Sequence, residues 1–485
     1  MSKQRRYLVL ASLLTCVFLS SADQTVVVTI IPSIMLHLQL AVWDLDHTSW
    51  IVTGYLVGYL AAMPMAGRML DIYGHKRVFI ISTLIFIIGS FGVATSNDLN
   101  LLIVARVVQA VGAGAIIPAA IAISATLFPS QNRGIVLGII VSVAELGGVA
   151  GPLLGGAVVK YFSWQWIFWI NVPFGLTMII IAMLFFTFTP VKTSPVDYLG
   201  GVLITGTLVM ITIGLSMIDN PDGIMGLIIL SSAIFLILFI LRQKLTSHPI
   251  LPTSIFKSTI FRAASLTHVF IGGALITAIV TVPLFSNTIL ELSSMDGAFM
   301  LMRLTLAIPF GAVIGGYIVQ STNYRMPIIL GLLTAATGFF LMSQWDRNIS
   351  EPLITLHLAL TGLGLGIIAT PITLSVIDTV EETHRGSAAA LITASRLCGM
   401  TLIMATLSSW GTHRFNTLTA HFDSPIPVAG QTSLEFTLQV QEFYGSISAA
   451  GIKVFSEFFM IGGVLCLLAI ITALAISKSR TSPLT

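Results

Sequence analysis

Among the ionisable side chains inside long apolar runs of this 485-residue sequence, five stand out: Asp23, Arg106, Glu145, Arg303 and Arg396. A charge in hydrocarbon costs several kcal/mol on most scales, so each is a candidate functional group by default. Asp23 lies roughly 24 Å along its segment from Tyr7, and Glu145 roughly 16 Å in from Gly134, at a helical rise of 1.5 Å per residue. Both acids fall near mid-membrane. Burial and a neighbouring guanidinium act in opposite senses on a carboxyl group's hold on its proton, and where they balance the group exchanges protons near neutral pH. Such a site lets a proton and a cationic ligand compete for one negative charge. Asp23 reads equally well as a proton-coupling acid and as a structural partner of Arg106. Glu145 is read as a proton or cation site ahead of a fixed partner for a buried arginine. Arg106 would tune the acids, and Arg303, about two turns into its span, reaches outward to polar surroundings.

These groups need a membrane-embedded scaffold. The chain is 55% hydrophobic and 9% charged, with a mean hydropathy of +0.96, whereas soluble domains carry roughly a quarter charged residues. Apolar windows long enough to cross a bilayer recur near 7–36, 49–68, 78–96, 99–126, 134–159, 167–189, 197–217, 223–241, 262–289, 296–320, 325–343, 353–377, 386–410 and 453–477. Their length, without short alternating patterns, predicts helices and excludes barrel strands. The basic residues Arg5, Arg6, Lys76, Arg77, Arg133, Arg242, Lys244, Arg325, Arg385, Lys478 and Arg480 fall on one side if both termini are cytoplasmic, as the positive-inside rule requires. Ser20-Ser21-Ala22 imitates a signal-peptide cleavage site, but the apolar run resumes after Asp23 and predicts a retained span. Cys16, Cys398 and Cys466 show no paired spacing, and His37, His47, His268 and His357 are scattered, so neither a disulfide framework nor a metal site is expected.

The turn after the second span reads Gly67-Arg68-Met69-Leu70-Asp71-Ile72-Tyr73-Gly74-His75-Lys76-Arg77. Its glycines permit a close turn, and Asp71 can accept hydrogen bonds from basic groups or a neighbouring helix N-terminus, forming a latch that opens when helices rock. The Gly-x-x-x-Asp-x-x-Gly spacing resembles the loop signature of the major facilitator superfamily, with His75 where many members carry arginine. Three more segments resemble signatures of its fourteen-span drug/proton antiporters, a group of multidrug efflux transporters. They are Ala22-Asp23-Gln24-Thr25-Val26-Val27 with Pro32; Arg106-Val107-Val108-Gln109 with Gly112 and Gly114; and Gly147-x-x-x-Gly151-Pro152-x-x-Gly155-Gly156. Trp164-Gln165-Trp166-Ile167-Phe168, with Asn171 and Pro173, also looks like this branch. The glycines of the fifth span admit a close helix neighbour, and Pro152 removes a backbone donor. Arg396 matches an arginine common in the thirteenth span of the group and is expected in a gating or structural role. The second half carries no copy of the Asp71 signature, since the turn at Gln320–Arg325 lacks the acid.

The resemblance implies an all-α polytopic membrane protein with the major facilitator fold. Residues 1–190 and 261–485 would form two six-helix bundles, with two additional transmembrane helices and a cytoplasmic linker at 191–260 and an extracellular loop at about 411–452. The function it implies is proton-coupled antiport, exporting lipophilic, cationic drugs or toxic compounds across the cytoplasmic membrane by rocker-switch alternating access. Asp23 and Glu145 would be the coupling acids, and the proton gradient would be used without a cofactor. The expected partners are a lipophilic small molecule, protons and the bilayer, with no nucleic acid, and the protein is expected to be a monomer. An exporter of one endogenous metabolite and a non-transporting membrane sensor or scaffold are the competing readings; no enzymatic motif is found. Trp164, Trp166 and Trp169 are expected in an interfacial belt, and Tyr55 and Tyr59 in core packing.

Overall fold

A computed structural model describes residues 3–40, 45–186, 195–217, 223–422, 425–426 and 432–476. The basic residues Lys478 and Arg480 lie outside the described residues. Helices account for nearly all of the rest, because a backbone in hydrocarbon must satisfy its own hydrogen bonds. The first bundle is built from α1 (Lys3–His37), α2 (Leu45–Tyr73), α3 (His75–Thr95), α4 (Leu99–Leu127), α5 (Ser130–Tyr161) and α6 (Trp166–Phe185). Two helices follow, α7 (Tyr198–Ser216) and α8 (Gly223–Leu245), then the short α9 (Thr253–Lys257). The second bundle comprises α10 (Thr259–Thr288), α11 (Ser294–Ser321), α12 (Arg325–Met342), α13 (Glu351–Thr379), α14 (Arg385–Thr419) and α15 (Ser433–Ala473). Fourteen of these helices are long and apolar enough to span a membrane.

The packing scheme is repeated. In the first bundle α1 packs on α5, α2 and α3 on α4, and α3 on α6; in the second α10 packs on α14, α11 and α12 on α13, and α12 on α15. The same six-helix unit is thus used twice, as in transporters built from structural repeats. The bundles meet through α5 against α11 and α2 against α14, which are equivalent pairs under that repeat. The pair α7 and α8 packs mainly on itself and leans on α2. Only 11% of the α8 window is buried, against 83% of the α13 window, so α8 presents its leucines and isoleucines to lipid.

Two sequence expectations change. The Gly67–Arg77 segment is not an extended turn: α2 continues to Tyr73, and only Gly74 breaks the helix, with φ 86° and ψ 147°. Gly67, Arg68 and Asp71 therefore sit on α2 itself. The loop expected at 411–452 is largely helix, since α14 runs to Thr419 and α15 begins at Ser433, where Thr432 and Glu435 form a capping box. With 35 and 41 residues, α14 and α15 are about 52 and 61 Å long at 1.5 Å per residue. The apolar core of a bilayer is only about 30 Å thick. The two helices therefore run well past it as a hairpin, tied together by the bidentate Arg414–Glu457 pair at 2.9 and 3.0 Å.

Glycine sets the closest helix approaches. A side chain at Gly399 would collide with the carbonyl of Val269, and one at Gly272 with the carbonyl of Arg396, so α10 and α14 touch backbone to backbone there. Gly148 is different, for an added methyl group would meet nothing within 4 Å. Gly399→Leu is expected to lower the melting temperature in detergent sharply, because overpacking costs ~1–3 kcal/mol and backbone has little room to yield. Gly148→Leu is expected to leave it unchanged; scanning fluorimetry of the two variants checks the contrast.

Candidate functional site

Asp23 and Arg106 form an ion pair inside the first bundle, 3% and 0% exposed respectively. Arg106 Nη1 donates to Asp23 Oδ2 at 2.5 Å and to Gln109 Oε1 at 2.7 Å, while Nη2 donates to the Asp23 carbonyl at 3.2 Å. Asn171 Nδ2 donates to Asp23 Oδ1 at 3.2 Å and to Ser90 Oγ at 3.2 Å, and Gln109 Nε2 donates to Ser90 Oγ at 2.8 Å. The guanidinium lies 4.0 Å from the centroid of the Tyr55 ring and 5.7 Å from that of Phe168. Four helices, α1, α3, α4 and α6, thereby converge on one carboxylate. Tyr55 is a stacking partner of the charge as well as core, and its ring is stacked on Tyr59 at 6.1 Å.

The glycine stripe of α5 seats the helix that carries Asp23. Gly147 faces Phe18 and Ser21, and Gly151 faces Ala22, Thr25 and Val26, at distances that leave no room for side chains, while Gly155 lies in tight contact with Val26. Thr25 Oγ1 donates to the Gly148 carbonyl at 2.7 Å across the same contact. Pro152 lies within α5, which passes through it as one helix. Gly156 packs loosely, with only Thr29 near an added methyl group.

Glu145 and Arg396 join the bundles. Arg396 Nη1 on α14 donates to Glu145 Oε1 on α5 at 2.5 Å, and the side chains are 25% and 15% exposed. The sequence reading placed Glu145 ahead as an independent proton site; in this conformation its carboxylate is the partner of an arginine from the other half of the chain. Arg303 of α11 does reach outward, to Glu351 at 2.5 Å and Thr355 at 2.9 Å. Trp166 is exposed and belt-like, but Trp164 is buried against His37 and Phe168.

From Glu145 toward the α2–α3 turn the bundles are held together. Ser142 Oγ donates to the Pro309 carbonyl at 2.8 Å, and Gly138 and Gly134 face the backbone of Ala312 and Gly316. Arg133 pairs with Asp378 at the end of α13, whose other oxygen accepts from Tyr324 Oη at 2.9 Å. Asp71 accepts from the backbone amides of Gly386 at 2.8 Å and Ser387 at 3.0 Å, so its negative charge sits on the positive end of α14. Gly67 brings α2 against Gly386, Ser387 and Ala390. Lys76 Nζ instead donates to the carbonyls of Met183 and Phe186 at the end of α6, and Arg77 is exposed. Sequence reasoning missed Arg133 and Asp378. The acid absent from the Gln320–Arg325 turn is supplied by the neighbouring helix, and that turn contributes Tyr324. An acid closing an apolar span was the signal available.

Two outcomes follow from this geometry. Arg106→Ala leaves a dry carboxylate and is expected to cost ~3–5 kcal/mol, whereas Arg396→Ala, in a pair less tightly enclosed by protein, is expected to cost clearly less; chemical denaturation in detergent measures both. Asp71→Ala removes two interbundle hydrogen bonds. With Cys16, Cys398 and Cys466 replaced by serine and a reporter cysteine at Ser142, it is expected to raise the rate of maleimide labelling severalfold.

Comparison with known proteins bears on this arrangement. The sequence profile of the Major Facilitator Superfamily matches residues 13–404. A triacylglyceride transporter of Mycolicibacterium smegmatis is 32% identical over 98% of this chain and 88% of its own length. A triacylglyceride transporter of Mycobacterium tuberculosis is 33% identical over 96% and 93%. Among solved structures, a proton:xylose symporter superposes with a TM-score of 0.65 at 13% identity, covering 97% of this chain and 95% of its own. A human organic anion transporter gives 0.63 at 13% identity, over 96% and 100%. With a profile match over most of its length, relatives aligned nearly end to end and two repeated bundles in this arrangement, the chain belongs to the Major Facilitator Superfamily and is a multi-pass membrane transporter.

Proposed function

We propose that this protein exports a neutral, lipid-type molecule across the cytoplasmic membrane by alternating access, coupled to protons. The observation that carries the reading is the Glu145–Arg396 pair, an acid and a base that face each other across the two bundles from within their membrane spans. Protonating Glu145 would remove its charge and weaken the attraction to Arg396, so proton binding and separation of the bundles would be linked. Asp23 is a second coupling candidate, but both of its oxygens already hold hydrogen bonds and its arginine is in the same bundle. We assign it to keeping α1 and α4 in register. The latch formed by Asp71 on α14 and Arg133 on Asp378 would lie on the cytoplasmic side, with both termini, and the present conformation would be closed there.

The substrate class rests on the relatives, which are triacylglyceride transporters over nearly their whole length. The glycine–proline pattern of α5, which resembles that of drug/proton antiporters, supports a second reading in which a lipophilic cation is exported. The protein would work as a monomer, with each unit carrying its own pair of bundles.

Proteoliposomes distinguish the readings. A fluorescent triacylglycerol and ethidium are each followed with and without an imposed proton gradient, in wild type, Asp23→Asn and Glu145→Gln. The expected result is gradient-dependent movement of the triacylglycerol that Glu145→Gln reduces at least tenfold and leaves insensitive to the gradient. Movement of ethidium alone would replace the lipid reading with the cation reading, and movement of both without dependence on the gradient would overturn proton coupling.

A further inference from the structure

The second bundle contains a slot of about 630 Å³ between α10 and α14, floored by α15. Its position follows from packing described above. Backbone contact at Gly272 and Gly399 holds α10 against α14, and the helices part beyond it, so that Thr281 and Leu284 face Met404 and Leu407 across a gap. The floor is made by Gly451, Phe455 and Phe458, and an added methyl group at Gly451 would meet only the tip of Ile289. All the described lining residues belong to the second bundle.

The chemistry of the lining selects the ligand. Among the described residues it contains no ionisable side chain to offset the desolvation of a cation or an anion. It is apolar, with a few hydroxyls, and its volume lies within the usual range of ligand pockets, roughly 300–1,000 Å³. Ser448 lines the slot, and its hydroxyl has no hydrogen-bond partner among the described residues. A buried hydroxyl without a partner is costly, and a carbonyl oxygen supplied by a ligand would satisfy it. We infer that this slot is a binding site for one acyl chain of a neutral glycerolipid, with the ester carbonyl accepting a hydrogen bond from Ser448. The inference rests on the lipid reading above and adds to it a site within one bundle, which keeps its hold on a chain while the two bundles move relative to each other.

The test uses the purified full-length protein in detergent, tritiated trioleoylglycerol, and a trioleoylglycerol analogue carrying a diazirine on one chain. Wild type is expected to retain trioleoylglycerol and to be photolabelled on the α10, α14 and α15 segments that line the slot. Gly451→Leu, which fills the slot where there is room for a side chain, is expected to lower retention at least tenfold without changing the melting temperature; Ser448→Ala is expected to lower it about threefold. Photolabelling of wild type stands independently of whether either variant folds. Retention that both variants leave unchanged, or label confined to α1 and α5, would overturn the slot while leaving the lipid reading intact. Label from a phospholipid analogue in place of trioleoylglycerol would make the slot a bilayer-lipid contact and overturn the inference. Retention of tetraphenylphosphonium with no neutral lipid would remove the lipid reading and the slot with it.

Discussion

A guanidinium in hydrocarbon has to be neutralised where it stands, because neither water nor lipid can solvate it there. Arg106 answers that requirement inside one bundle and Arg396 answers it between two. Around Arg106 the protein has assembled Asp23, Gln109, Asn171 and Ser90 from four helices, and roofed the charge with Tyr55 and Phe168. Such a cluster is costly to open, since removing any member strands a dry polar group, and it therefore fixes how α1, α3, α4 and α6 are set against one another. Arg396 pairs, among the described residues, with one acid, less tightly enclosed by protein, on a helix of the other bundle. The same chemistry thus ties helices within a bundle in one place and, under the proposed cycle, would make a separable contact in another.

Separable contacts must be strong enough to hold a state and weak enough to leave it. Where α5 meets α11 and α2 meets α14, Gly134, Gly138, Gly67 and Gly386 bring the helices to close backbone approach. The charged elements at the end of this interface, Asp71 on the amides of α14 and Arg133 on Asp378, add direction: each joins a fixed dipole or charge in one bundle to its complement in the other. Motion between the bundles then breaks a few polar contacts and slides smooth ones, which is the economy that rigid-body switching needs.

Much of this could be read in the sequence. The fourteen apolar windows mark the fourteen long helices, and of the two partners open to Asp71, basic groups or a helix N-terminus, its hydrogen bonds go to the N-terminus of α14. Asp23 with Arg106 was legible because both lie in the first bundle and few other charges compete for them. Glu145 with Arg396 and Arg133 with Asp378 were not legible as pairs, since their members are 251 and 245 residues apart and meet only because two repeats face each other. The α14–α15 hairpin was misread as a loop for a different reason: hydropathy reports where a helix leaves hydrocarbon, and a helix capped by Thr432 and Glu435 continues in water. The slot in the second bundle has no sequence signal, because it exists where two helices diverge.

The pair α7 and α8 touches α2 of the first bundle and, more lightly, α14 of the second, while almost the whole of α8 rides in lipid. Thr205 Oγ1 donates to the carbonyl of Ala61 at 3.0 Å and anchors the pair to α2. Any rocking of the first bundle therefore drags a broad apolar paddle sideways through the bilayer. In the proposed cycle the thickness and stiffness of the surrounding lipid would enter the energy of each turnover, and the membrane would be a mechanical load on it as well as its solvent.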